Sequence, residues 1–326
     1  MPHCQTELPV LPSIQRVLTQ RRWVEFHPEQ LEPAILQWGD CIRGQEGWHH
    51  RCHYFDGAAE TVRWIFVLDV LNHCFWPGVG EPTWTVAYGG EDYSGYWGLA
   101  ASLKRALERG FAITDPACLA ELSPADLREI FSGAGEIPLF DARLANLREA
   151  GQVLLWWWQG DIIHLLEETR GHAVETVQQI VASFPSFQDE AQYRRQKVFF
   201  WKRAQLFVAD VSGAFGGQGW GRYDDIGELT AFADYKLPQV LRELGILSYH
   251  PDLAERIDRR QDLSAGSEEE IEIRAMTIWA AEALKKTFSL LGKQVTSPEV
   301  DQWLWQLGQL EPFRKRPYHR CRTIFY

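Results

Sequence analysis

What the chain lacks narrows its class before any motif is considered. No apolar run is long enough for a membrane: the longest, Trp64 to Trp76, is interrupted by Asp69, Asn72 and His73, whereas a span needs about 20 apolar residues. There is no excess of positive charge either. Lys and Arg number 33 against 44 Asp and Glu, a formal net charge of −11. The cationic footprint that grips DNA or RNA phosphates is therefore missing, and only a local basic pocket for one small anion is left open. No Cys-x-x-Cys pair occurs, and six cysteines (Cys4, Cys41, Cys52, Cys74, Cys118, Cys321) are thin for a disulfide scaffold of this length. They read as reduced thiols of a cytosolic protein, mostly buried. The start, Met1-Pro2-His3-Cys4, has neither the basic nor the apolar part of a secretory signal. Fixed-period repeats and low-complexity tracts are absent too.

What is present is a globular composition, 45% hydrophobic and 24% charged, which excludes an intrinsically disordered chain. At about 150 residues per domain, the 326 residues allow two domains or one large one. No stretch reads as a linker, so one compact, two-lobed domain over 1–326 is expected. Fifteen tryptophans imply a wide core or stacking surfaces. The periodicity is mostly helical. Ser123-Pro124-Ala125-Asp126 opens one helix that ends near Gly133. Ser267-x-x-Glu270 is a capping box that opens another, with Ile271, Ala275 and Ile278 on one face. Ser297-Pro298 opens a third, with Val300, Trp303, Leu304 and Leu307 on one side. Residues 58–72 are apolar nearly all round, the mark of a buried helix. Only Thr83 to Tyr96 looks strand-like, with Gly89-Gly90 as a hairpin turn. The predicted fold is mainly α, with at most a small β-hairpin.

Several groups of residues carry chemistry, each with a plainer reading beside it. His49, His50 and His53, with Asp56 behind them, have imidazoles that suit a metal or a substrate. The His-Glu-x-x-His pattern is absent and no second cluster completes a metal site, so satisfied or substrate-contacting histidines are expected and no metal. Asp69 and Asn72 sit inside the buried helix, and buried polar groups need hydrogen bonds; they read as structural, with Phe75 and Trp76 either core or a pocket wall. The run from Gly213 to Gly221 matches neither phosphate-binding glycine pattern and reads as a tight loop between helices. In Leu229–Leu241 (LTAFADYKLPQVL) the apolar residues keep helical spacing, but Pro238 cannot sit mid-helix. One helix therefore ends near Asp234–Lys236, and the next starts with Pro238 as its first residue. Asp234 then lies just before a helix N-terminus, whose dipole favours an ionised carboxylate. That suits stabilisation of a developing cation, or simple capping. The tail Pro317–Tyr326, rich in Arg and aromatics, reads as docked on the body. It and Lys202-Arg203 are the two basic groups able to meet a phosphate, or to pair with the acidic surface.

Together these segments resemble the queuosine salvage family, the queuosine 5′-phosphate N-glycosylase/hydrolases. The resemblance runs from about residue 50 to Tyr326, on the words FVLDVLNHCFWP, FVADV, LTAFADYKLPQVL, GSEEEIEIRA and PYHRCRTIFY, in that order. It implies a helical fold like that of helix-hairpin-helix DNA glycosylases. It also implies hydrolysis of the glycosidic bond of queuosine 5′-monophosphate with release of queuine for tRNA modification, without metal or cofactor. Carried over by position, the catalytic carboxylate of the family's Phe-Ala-Asp-Tyr segment is Asp234, with Phe232 in the base pocket and Tyr235 beside it. The family's histidine falls in HRCHYF, on His50 first and His53 second. Its acid before Leu-Trp is Asp301, and its Lys before Arg-Ala-Gln is Lys202. The chain departs from the family at His73, commonly Phe, at Cys321, commonly Thr, and at Gln306, an acid in some relatives; Gln306 is counted with the substrate contacts. The expected partner is one small nucleotide, with no nucleic acid and no membrane, handled by a cytoplasmic monomer. The competing readings are a DNA base-excision glycosylase, disfavoured by the charge, and a binding module in which Asp234 only caps a helix.

Overall fold

The computed structural model describes residues 7–41, 48, 51–78 and 80–326. Among them the chain forms fifteen α-helices and four two-stranded pairings, so the fold is mainly α. The hairpin is where the sequence puts it. Thr85–Tyr88 pairs with Glu91–Ser94 through Gly89 and Gly90, whose φ angles of 57° and 85° are those a two-residue turn between twisted strands requires. Three further pairings accompany it: Val24–Phe26 with Leu247–Tyr249, Glu190–Tyr193 with Gln196–Phe199, and Asp262–Leu263 in parallel with Arg320–Cys321. Strands of two to four residues are too short for a period of two to stand out.

The Ala59–Leu71 helix lies at the centre of the core. From Thr61 to Leu71 only Arg63 is not buried, and its guanidinium pairs with Asp161 at 2.5 Å. Asp56 Oδ1 accepts from the N–H groups of Ala58 and Thr61, at 2.8 and 3.2 Å, so this acid caps the helix start. His49 and His50, which the sequence groups with it, lie outside the described residues. At the other end two buried arginines satisfy carbonyls that a helix terminus leaves open. Arg203 donates to Asp69 O and Val70 O, and Arg143 to Leu71 O, His73 O and Cys74 O. The basic pair Lys202-Arg203 is thereby split: Arg203, 1% exposed, serves the scaffold and not a phosphate.

The other helix starts hold with adjustments. Ser123 accepts from the Asp126 N–H, and that helix ends at Ile130. Ser267 accepts from the Glu270 N–H, but Glu270 does not return the bond. Its carboxylate instead accepts from Gly266 N–H and the Tyr326 hydroxyl, at 3.2 and 2.9 Å. The Ser297–Leu307 helix is capped one residue earlier, by Thr296 in a reciprocal box with Glu299. The helix predicted to end near Asp234 is not there. After a short turn at Ile226–Glu228, residues 229–234 have no helical structure and are buried. Their apolar residues face protein on every side, which mimics helical spacing. The next helix runs Lys236–Glu243 with Pro238 in its first turn, where a missing N–H breaks no bond. The tail docks as expected: Cys74 N–H donates to Tyr326 O at 2.9 Å, and Cys321, His319 and Tyr326 are buried.

Candidate active site

Three elements line much of one cavity of about 690 Å³, within the roughly 300–1,000 Å³ of small-molecule sites. The Lys202–Ala214 helix presents Lys202, Leu206, Ala209, Asp210 and Gly213, spaced along a single helical face. The 229–234 segment contributes Phe232 and Asp234, and the Ser297–Leu307 helix contributes Asp301, Gln302, Trp305 and Gln306. The segment passes between the helices because its backbone is tied on both sides. Phe232 N–H donates to Asp301 Oδ2 at 2.7 Å, and Thr230 N–H to Gln205 Oε1 at 2.8 Å.

Asp234 stands where the segment becomes helix. Its Oδ1 accepts from the N–H groups of Lys236 and Leu237, at 2.7 and 3.0 Å, so the helix-start reading holds for its geometry. Oδ2 makes no hydrogen bond among the described residues. Burial lifts its pKa above the ordinary carboxylate range, while Lys202 and the two backbone N–H groups pull it back. Burial thus outweighs the helix end. Asp301 is pushed further, well above that range, by burial and then by the charge of Asp234. Lys202, 5% exposed, is lowered by burial and supported by Asp234, Asp69 and Asp301; no carboxylate lies within 4 Å of its Nζ among the described residues.

Behind these groups sits a buried ion pair. Arg274 donates to both oxygens of Asp189, at 2.8 and 2.6 Å, and through Nε to Ala233 O at 3.1 Å. Asp189 Oδ2 in turn accepts from Lys202 N–H at 3.2 Å. One guanidinium therefore ties the start of the Lys202 helix to the residue before Asp234.

Of the residues singled out by sequence, Asp234, Phe232, Tyr235, Asp301, Gln306, Lys202 and His53 all line this cavity. His50 lies outside the described residues. His53 has both ring nitrogens engaged, with Trp48 O at 2.7 Å and Tyr96 Oη at 2.8 Å, and it stacks on Trp48 at 4.1 Å. Tyr235 packs edge-on against Trp76, ring centroids 4.9 Å apart. Trp76 is buried behind it, while Phe75 is a cavity wall.

Asp210 was missed. It is half-buried and makes no hydrogen bond or ion pair among the described residues. The signal available was an acid inside FVADV, eight residues after Lys202 on the same helical face. Burial, and next the neighbouring Asp69, pushes the Asp210 carboxyl well above the ordinary range. The folded protein then holds that proton more tightly than the unfolded chain. Stability falls as pH rises from the ordinary carboxylate value through the raised one. Asp210→Asn keeps the shape and removes that cost, so it is expected to melt at or above the wild-type temperature at alkaline pH. A melting temperature clearly lower at that pH shows that the ionised carboxylate has a structural partner.

Comparison with known proteins follows the same line. The family described as "Queuosine salvage protein" matches residues 52–326. A Sphaerobacter thermophilus protein named queuosine 5′-phosphate N-glycosylase/hydrolase is 45% identical over 325 residues, 98% of both chains. Proteins of the same name from Nematostella vectensis and Mus musculus are 36% and 34% identical, over 85% of both chains and over 95% of this chain and 94% of the mouse one. The matched span carries every described residue of the cavity except Trp48, and relatives from a bacterium and two animals align along most of their length: the chain belongs to the queuosine salvage protein family.

Proposed function

We propose that this protein hydrolyses the N-glycosidic bond of queuosine 5′-phosphate and releases queuine for salvage into tRNA. The observation that carries this reading is the pair of buried carboxyls, Asp234 and Asp301, set in one cavity with Lys202, in a chain whose relatives bear that name. Breaking the bond builds positive charge on the ribose. A carboxylate oriented in advance acts on charge that exists only near the transition state, where such stabilisation raises the rate. Asp234 Oδ1 is held by two amides, and Oδ2 faces the developing cation. Water adds to the sugar carbon, giving ribose 5-phosphate, and the proton goes to the departing base. Queuine is a 7-deazapurine, so it has no N7 to protonate. Help for the leaving group comes through hydrogen bonds to other base edges, and Asp301, kept protonated, supplies a donor while Phe232 supplies a stacking face. The −11 charge supports a free nucleotide over a duplex as substrate, and no helix among the described residues is long and apolar enough to cross a membrane. We take the protein to act as a cytoplasmic monomer.

The two carboxyls set the pH dependence, since environments that push two pKa values apart assign base and acid. Asp234 must be ionised, so kcat falls as pH drops through its raised pKa. Asp301 must be protonated, so kcat falls again as pH rises through its higher one. The expected profile is bell-shaped, and Asp301→Asn removes the alkaline limb. An alkaline limb that survives in Asp301→Asn assigns that proton elsewhere.

Lys202 is the cation for the 5′-phosphate. Lys202→Ala is expected to lower kcat/KM for the monophosphate roughly 10- to 100-fold, the worth of a hydrogen bond to a charged group, with a smaller loss on the nucleoside. Equal losses on both substrates take Lys202 out of the phosphate site. The reaction itself is tested by incubating the protein with queuosine, queuosine 5′-phosphate and guanosine 5′-phosphate and separating free base by chromatography. Queuine released from the monophosphate in preference to the others is expected; release from none of them overturns the reading.

A further inference from the structure

The cavity wall formed by the Lys202–Ala214 helix carries a cation at one end and an anion further along. Lys202 and Asp210 share one face eight residues apart, a rise of about 12 Å between their backbones at 1.5 Å per residue. The reaction described above uses Lys202 and leaves Asp210 without a task. Its carboxyl has no hydrogen-bond or ion-pair partner among the described residues. Asp69, buried in the next helix, adds a second carboxyl beside it, and Lys202 offsets these only in part. Without a cation these carboxyls hold their protons, and a bound cation favours the ionised form.

Aromatic rings line the same cavity as this carboxyl. After burial, Asp210 is the largest electrostatic influence on the Tyr96 hydroxyl. Tyr96 belongs to a cluster in which ring centroids lie 5.0 Å from Trp97 and 5.9 Å from Trp305, and Trp97 and Trp305 are also 5.9 Å apart. All three rings line the cavity. A carboxylate beside aromatic faces is a receptor for an organic ammonium, which the rings attract through their quadrupoles and the carboxylate through its charge. Asp301 is less suited to that task, because one of its oxygens already accepts the Phe232 N–H and its proton is wanted on the base.

We propose that Asp210, with Tyr96, Trp97 and Trp305, binds the protonated secondary amine that links the deazapurine of the substrate to its cyclopentenediol, and so selects the substituted base over guanine. This rests on the reading of the substrate as queuosine 5′-phosphate. That molecule has an anion at its phosphate and a cation on its base substituent, the same two charges in the same order that the helix face complements. A guanine nucleotide brings no cation to draw Asp210 into its ionised form.

Calorimetry on the wild-type protein separates charge from shape, using 7-aminomethyl-7-deazaguanine and 7-cyano-7-deazaguanine as probes. The aminomethyl base carries the ammonium; the cyano base has a substituent of similar length and no charge. The aminomethyl base is expected to bind at least about tenfold tighter, the scale of a desolvated cation–π contact reinforced by a carboxylate, and Asp210→Asn is expected to abolish the difference. In turnover, Asp210→Asn should lower the ratio of kcat/KM for queuosine 5′-phosphate to that for 7-deazaguanosine 5′-phosphate by a similar factor. Equal affinities of the wild type for the two bases, or an unchanged ratio in the variant, overturns the assignment. The wild-type comparison decides even where the variant does not fold. Failure of the reaction itself is recognised separately, because the wild type then releases no base from any of these nucleotides.

Discussion

Asp234→Asn is expected to lose about 10²- to 10³-fold in kcat on queuosine 5′-phosphate, the usual loss when one preorganised electrostatic group is removed, and to keep the wild-type melting temperature. The two halves of this result come from the two oxygens. Oδ1 accepts from Lys236 and Leu237 N–H, and an asparagine oxygen accepts the same bonds, since Asn caps helices as well as Asp does. The helix start therefore survives. What disappears is the negative charge on the side facing the cavity, together with its electrostatic attraction to Lys202. Because burial already raises the Asp234 pKa, neutralising the residue costs little folding energy, so the loss falls on the transition state. Steady-state kinetics beside a melting curve checks it. Near wild-type turnover at an unchanged melting temperature makes Asp234 a cap and removes the proposed mechanism.

How much of this was legible in the sequence follows from the range over which each feature acts. Asp234 before a helix was legible because Pro238 is a local constraint: a ring that cannot sit deep in a helix puts the helix start close by. The absence of a helix in front of it was not. Leu229, Ala231, Phe232 and Ala233 are buried without helical structure, and a segment enclosed on all sides has no polar face to betray its period. The buried helix at Ala59–Leu71 was legible for the converse reason, being long enough for apolar residues all round to mean burial. The role of Arg203, left open between a phosphate and the acidic surface, was not legible because its partners, the carbonyls of Asp69 and Val70, lie more than 130 positions away and are backbone groups that any residue carries. Asp210 was hidden in the same way: an acid in an apolar stretch looks like a buried structural group until the opposite wall is known. The shared-face spacing to Lys202 was present in the sequence, but it acquires meaning only once the cavity shows which face is inward.

Arg274 is where the largest loss of stability is expected. It lies between Phe200 and Tyr326, its guanidinium carbon 3.9 and 4.4 Å from their ring centroids, and is 2% exposed. Arg274→Met fills much of the same space but strands Asp189, also 2% exposed, as a charge without its partner, and takes the guanidinium away from Glu270, whose Oε1 lies 3.6 Å from it. Breaking a buried pair on one side costs about 3–5 kcal/mol, which for a chain of this size lowers the melting temperature by on the order of 10 °C. The pair is also the strut behind the site, through the bonds to Ala233 O and, via Asp189, to Lys202 N–H. The folded fraction of the variant should therefore show a lower kcat, as Asp234 loses its anchored neighbour. Adding Asp189→Asn to Arg274→Met removes one of the two stranded carboxylates and should recover part of the stability, while Ala233 O still lacks its donor and kcat stays low. Thermal melts and kinetics on the single and double variants give this split directly. A single variant within about 1 kcal/mol of wild type, the range of an exposed ion pair, removes the strut, and a double variant that recovers kcat along with stability shows that Arg274 acts on the fold alone.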